Sequence, residues 1–141
     1  MRGLLDWLQE RLGTREQLTQ FFYRHVPAGT GWLHTLGSAA LFLILVQTVT
    51  GIFLAFYYVP SPEHAYDSLT YIQKEIPFGT FVRGLHYWGA SLIVVVVFLH
   101  LLRVFFMGAY KYPRELSWVV GVFLFLLVML FGFTGYLLPW D

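Results

Sequence analysis

No cysteine occurs among the 141 residues. That absence excludes a disulfide framework, a thiolate metal site and a cofactor attached through thioether bonds. Charge is almost as scarce. Asp, Glu, Lys and Arg make up 12% of the chain and leave a net charge of +1, which argues neither for nucleic acid nor for an acidic partner. An internal repeat, a low-complexity tract and a domain linker are also missing. The N-terminus does not read as a cleavable signal, because Arg2, Asp6, Glu10, Arg11, Arg15 and Glu16 interrupt any apolar core.

What remains is apolar: 57% of the residues are hydrophobic and 20% aromatic. A chain of this size buries only about two thirds of its surface on folding, so much of that surface must meet lipid. Three charge-free runs stand out, between Arg24 and Glu63, between Arg83 and Arg103, and between Glu115 and Asp141. Each supplies the roughly 20 apolar residues that a helix needs to cross a ~30 Å hydrocarbon layer. The ten-residue apolar–polar alternation of a membrane barrel does not recur. The sequence therefore predicts an all-α membrane protein with transmembrane helices at about 33–59, 82–107 and 115–138.

Residues 3–24 read differently. Leu4, Leu5, Leu8 and Leu12 share one helical face while Arg2, Asp6, Gln9 and Glu10 lie away from it, the pattern of an amphipathic helix lying on a membrane surface. An ordinary polar lead-in is the plainer alternative. Arg2, Arg11, Arg15 and Arg24 flank the first span, and Arg103, Lys111 and Arg114 fill the second connection. The first connection has Lys74 against Glu63, Asp67 and Glu75. By the positive-inside rule the N-terminus and second connection are cytoplasmic, and the first connection and Asp141 face outward.

His86 and His100 lie inside the second span, fourteen residues apart. Helix geometry brings both imidazoles to within about 40° of one direction and separates them by ~21 Å along the axis. An imidazole within a bilayer is costly unless partnered, so each marks a functional site by default. Two on one face, near opposite leaflets, suit two metal centres stacked along the membrane normal. Without cysteine or nearby carboxylates a tetrahedral zinc site is poorly supported, whereas haem needs one His per side. The alternative is that each His bonds a neighbouring helix or lines a proton path.

The glycines repeat the spacing. Gly37 and Gly51 on the first span, and Gly121 and Gly135 on the third, are again fourteen apart. A glycine costs a helix roughly 1 kcal/mol relative to alanine, so the repetition asks for a reason. Close helix packing is one; flat porphyrin edges against bare backbone at two depths is the other. Arg83 precedes His86 by three residues and Arg103 follows His100 by three. Each is placed one turn nearer a membrane face, where it could neutralise a haem propionate or simply snorkel.

The stretches Gln47-Thr48-Val49-Thr50-Gly51, Arg83-Gly84-Leu85-His86, His100-Leu101-Leu102-Arg103, Pro113-Arg114-Glu115-Leu116-Ser117-Trp118 and Gly135-Tyr136-Leu137-Leu138-Pro139-Trp140-Asp141 together resemble the N-terminal part of the cytochrome b/b6 family. The short b6-type form and its bacterial relatives are the nearest in pattern. The resemblance covers nearly the whole chain. It implies a four-helix di-haem bundle in which His86 is an axial ligand of the outer haem b and His100 of the inner one. Arg83 and Arg103 would contact propionates, and Gly37, Gly51, Gly121 and Gly135 would be the haem-contact glycines. Phe133, Tyr136 and Pro139 would line an outer quinol-oxidation site.

It further implies transmembrane electron transfer as a subunit of a quinol-oxidising complex in a bacterial inner membrane or a thylakoid-type one. The partners would be quinol and quinone, a Rieske iron–sulfur protein and a cytochrome c-type subunit, in a dimeric assembly. The b6-type form carries a cysteine just before its first glycine pair, for an additional c-type haem. Thr35 and Leu36 precede Gly37 here, so no covalent haem is expected. The family's fourth helix supplies the other two axial histidines, and His25, His34 and His64 sit too near the membrane boundaries to replace them. A companion chain or segment must bring that helix, and residues 1–141 by themselves are expected to bind no haem stably. Competing readings are a di-haem anchor for a dehydrogenase or hydrogenase, a haem-free proton-relay subunit, and a purely structural subunit.

Overall fold

The computed structural model describes residues 30–139 together with Gly3, Leu4 and Trp7. After a 3-10 turn, Trp32–Thr35, come four α-helices: α1 Leu36–Ala55, α2 Ala65–Lys74, α3 Gly79–Phe106 and α4 Glu115–Tyr136. Among the described residues there is no strand. With its leading turn the first span has 24 residues, α3 has 28 and α4 has 22, or ~36, ~42 and ~33 Å at ~1.5 Å per residue. All three are long enough to cross a bilayer, and the apolar runs of the sequence lie within them.

The helices turn those apolar side chains outward, as lipid-facing helices do. Phe131 on α4 is 71% exposed, and no residue of α4 is buried. Burial on the long helices is confined to small or slender residues: Ala40 and Thr50 on α1, Gly79, Gly89 and Ile93 on α3. That is the composition expected where helices associate in lipid by close backbone approach, since apolar bulk gains nothing from leaving one hydrocarbon for another. α3 is central, with α1, α2 and α4 all packed on it. Phe98 of α3 meets Phe125 of α4 with ring centroids 6.3 Å apart. At the connection between them Phe105 stacks on Tyr110 at 5.6 Å and 11°, and Trp118 closes the cluster at 5.7 Å from Tyr110.

The ends of the spans differ from the sequence expectation for local reasons. α1 stops at Ala55 rather than 59, because the N–H groups of Tyr57 and Tyr58 both fall back on the Leu54 carbonyl and Pro60 and Pro62 follow, which disfavours continued helix. α3 starts at Gly79, three residues earlier than expected, behind Phe78 in the left-handed region at φ 62°. A Cβ on Gly79 would drive into the Ile72 carbonyl, so only glycine lets α3 begin against the backbone of α2. α4 starts at Glu115 as expected and ends at Tyr136.

Helix α2 itself was not anticipated. It lies along the first connection and buries Ala65, Ser68 and Ile72, an i, i+3, i+7 stripe. Asp67 in its first turn and Lys74 in its last complement the helix dipole. The expected surface helix at 3–24 lies outside the described residues, apart from Gly3, Leu4 and Trp7, which are helical.

Candidate functional site

The site is built on the antiparallel pairing of α1 with α3. Gly51 of α1 lies against the ring of His86, where an added Cβ would sit 3.3 Å from Cε1. Gly37 lies against the ring of His100, where an added Cβ would sit 3.0 Å from Cε1 and 3.6 Å from Nε2. Moving fourteen residues along one helix is thus matched by fourteen along the other in the opposite sense. Carbon atoms are at ease about 3.5–4.0 Å apart, so each glycine leaves room that a methyl would take from an imidazole. The two α1 glycines therefore have a defined neighbour, and it is the histidine ring.

Polar groups lock this pairing at the His86 level. The side chain of Gln47 reaches across the seam and its Nε2 donates to the His86 carbonyl at 3.0 Å. It passes over Gly89, where a Cβ would collide with that amide. Thr50 is 5% exposed and its Oγ1 lies 2.9 Å from His86 Nδ1. His100 is treated differently: its Nδ1 is buried with no hydrogen-bond partner, as is Nε of Arg103 one turn on. Both histidines and both arginines, Arg83 and Arg103, are half-buried on α3.

The third span contributes less. An added Cβ on Gly121 would meet only Leu101 Cδ2, at 4.0 Å, and those on Gly132 and Gly135 would meet nothing within 4 Å. The α4 glycines thus border open space, on a helix with no buried residue. Phe133 and Tyr136 are exposed at the end of α4, and Pro139 just beyond it is half-exposed. That end is tied to the segment just after α1 by the Tyr58 hydroxyl, which donates to the Leu138 carbonyl at 2.5 Å. Beside it is a small cavity of about 120 Å³ lined by Tyr58, Pro60, Ala65 and Leu137 among others.

Among the described residues no three His, Cys, Asp or Glu side chains converge to hold a metal ion. A group that brings its own equatorial ligands and asks one axial donor per side fits what is present. Each imidazole has a half-exposed ring backed by glycine, and the buried, unpartnered Nδ1 of His100 and Nε of Arg103 are polar atoms awaiting neighbours. Haem meets that description.

The model for cytochrome b/b6/petB matches residues 22–141. This chain belongs to the cytochrome b/b6 family. The cytochrome b subunit of menaquinol:cytochrome c reductase from Geobacillus thermodenitrificans is 46% identical over the whole of this chain and 66% of its own length. Cytochrome b6 of Heliobacterium modesticaldum is 43% identical over 97% of this chain and 65% of its own. A chain of a hyperthermophilic respiratory Complex III superposes with a TM-score of 0.81 at 39% identity, covering 96% of this chain and 35% of that one. The chain thus spans just under two thirds of the length of the curated relatives it matches.

Family membership gives the α1–α3 seam its context, and two of its members were not singled out from the sequence. Gln47 and Thr50 stood in a motif without roles. A signal was there: an amide in the middle of an otherwise apolar span is as costly in lipid as an imidazole, and Thr50 directly precedes Gly51. What the sequence could not supply is the register that sets both opposite His86.

Proposed function

We propose that this chain forms one wall of a two-haem electron path across a membrane, as the cytochrome b subunit of a quinol-oxidising bc-type complex. The observation that carries the reading is the doubled pairing of Gly51 with His86 and Gly37 with His100, at two depths ~21 Å apart. A single glycine under a single histidine could be packing. The same pair repeated at one spacing on two helices suits two equivalent flat cofactors.

Bound there, each haem b would supply reversible one-electron carriage. His86 and His100 would each hold one haem from the α3 side, together with a donor from the family's fourth helix. Held by histidine alone, each haem would carry electrons rather than activate oxygen. Arg83 and Arg103 neutralise propionates near the two membrane faces. Gly37 and Gly51 keep α1 close enough to exclude water from the ring faces, while Gly121 and Gly135 leave the α4 side smooth. The dry, apolar surround tunes the potential.

On this reading the N-terminus is cytoplasmic and the membrane is a bacterial inner membrane. Phe133, Tyr136 and Pro139 border an outer quinol site. The partners are a Rieske iron–sulfur protein and a cytochrome c-type subunit in a dimeric complex. The haems are held by coordination alone, since Thr35 and Leu36 precede Gly37 with no thiol to attach one.

The test uses the intact complex purified from its membrane. Haem extraction and reduced-minus-oxidised spectra should give two haem b per copy of this chain. His86→Asn should remove one spectral component and His100→Asn the other. Retention of both components in both variants would refute the assignment.

A further inference from the structure

The two ends of α4 are held differently. At its start Trp118 packs 5.7 Å from Tyr110, and in its middle Phe125 meets Phe98 of α3 at 6.3 Å. Toward its end a Cβ on Gly132 or Gly135 would meet nothing within 4 Å, and Phe133 and Tyr136 stand exposed. Side-chain packing gives this end little to rest on. What reaches it is a hydrogen bond from eighty residues earlier, the Tyr58 hydroxyl donating to the Leu138 carbonyl.

The acceptor is placed to transmit a position. Beyond Tyr136 the chain makes one more turn, in which the Leu138 N–H donates to the Gly135 carbonyl at 3.3 Å. Pro139 follows, bringing no N–H and barring further helix. The Leu138 oxygen belongs to the planar peptide joining Leu138 to Pro139, so holding that oxygen sets the direction in which Pro139 leaves.

The donor is itself braced. The Tyr58 N–H donates to the Leu54 carbonyl at 2.9 Å. The next N–H, of Val59, donates to Oγ of Ser68 at 3.2 Å, and Ser68 lies on the buried face of α2. Beside the hydroxyl the two segments part around the cavity of about 120 Å³, with Pro60 and Ala65 on one wall and Leu137 on the other. Tyr58 bridges the two sides of that gap at its edge, a placement suited to a side chain with an apolar ring and a polar tip.

We propose that Tyr58 is a positioning residue for the outer quinol site, its hydroxyl holding the turn at 137–139 and through it the wall of Phe133, Tyr136 and Pro139. The inference rests on the reading above that puts the quinol site at those three residues. Tyr58 acts through the Leu138 carbonyl and not by contact with quinol. Without the hydroxyl the turn samples several arrangements, and only the fraction with the wall in place accepts quinol. Apparent affinity falls by that fraction. Quinol, once bound, holds the wall itself, so the bound complex reacts at its former rate.

The experiment compares the parent complex, intact in detergent, with Tyr58→Phe, which removes the hydroxyl and keeps the ring. Initial rates of oxidation of a soluble dimethylnaphthoquinol give KM and kcat separately. Tyr58→Phe should raise KM roughly three- to tenfold, the scale of one neutral hydrogen bond, and leave kcat within about twofold. Both haem components should stay at parent stoichiometry. Amide hydrogen exchange, read by mass spectrometry, should quicken over residues 133–138 and not in α3. A parent-like KM in Tyr58→Phe would overturn the proposal, whether or not exchange quickens. So would a fall in kcat at unchanged KM, or loss of a haem component, since either would give Tyr58 a different role. Phe133→Ala and Tyr136→Ala separate the two levels of the reading. If both oxidise the quinol as the parent does, the quinol-site reading has failed and this inference with it. If either is impaired while Tyr58→Phe matches the parent, this inference alone has failed.

Discussion

Gly37→Ala sets the steric reading of the α1–α3 seam against the ordinary preference of helices for alanine. The new methyl would arrive 3.0 Å from His100 Cε1, some 0.5–1 Å inside a comfortable carbon–carbon separation. At Gly51 the same change arrives at 3.3 Å from His86 Cε1, inside by roughly 0.2–0.7 Å. Overpacking a tight contact costs about 1–3 kcal/mol, and the gain in helix propensity returns about 1 kcal/mol. The net for Gly37→Ala is thus a destabilisation of about 0–2 kcal/mol, concentrated on the orientation of one imidazole, with Gly51→Ala milder. Gly84→Ala on α3, where an added Cβ meets nothing within 4 Å, should be neutral or slightly stabilising. The assay is haem stoichiometry and thermal loss of the visible spectrum in the purified complex. Gly37→Ala should deplete or loosen the His100 component first, Gly51→Ala should affect the His86 component less, and Gly84→Ala neither. The steric reasoning is refuted if Gly37→Ala and Gly84→Ala leave the His100 component equally intact.

Two further substitutions probe the frame around the site. Gly89→Ala should displace the Gln47 amide, which a Cβ there would strike, and cost about 1–3 kcal/mol in thermal stability. Adding Gln47→Ala should recover part of that loss, and strict additivity in the double mutant would count against the contact. Gly79→Ala drives a methyl into a backbone carbonyl that has no rotamer to escape by. It should cost at least 3 kcal/mol or block assembly, read as the yield of folded complex from detergent extracts, whereas unchanged yield would mean that α2 is free to move off α3.

Much of the frame was legible in the residues. Freedom from charge over about 20 positions fixes a spanning helix with little reference to anything else, and Arg83, His86, His100 and Arg103 stand out because polar groups are rare in such company. The ends were less legible. Tyr57 and Tyr58 are apolar enough to extend a span by composition, yet their N–H groups close a turn on Leu54. Helix α2 escaped because it is short and of mixed polarity, although its ten residues are clearly amphipathic, and its burial depends on Gly79 arriving from later in the chain. Thr50 and Gln47 could be seen as polar residues in a bilayer, but their partner could not. Their roles follow from which residue of α3 lies opposite, and pairing register is not written in either helix by itself. The α4 glycines share the spacing of those on α1 without sharing their contact with the histidine rings, so a matching interval alone does not distinguish a ring-bearing seam from an open face.

The equal interval on both partners of the seam has a further consequence for how this segment can vary. Between Gly37 and Gly51, and between His86 and His100, side chains that face lipid can be exchanged for other apolar ones with little effect. Residue number cannot change. One inserted residue within Leu92–Leu99 would rotate everything beyond it by about 100° and advance it by ~1.5 Å, turning the His100 imidazole off Gly37 while leaving His86 on Gly51. To evolution this stretch is a ruler: free in its lettering and held to a fixed length, with compensation possible only by a change of the same size in α1.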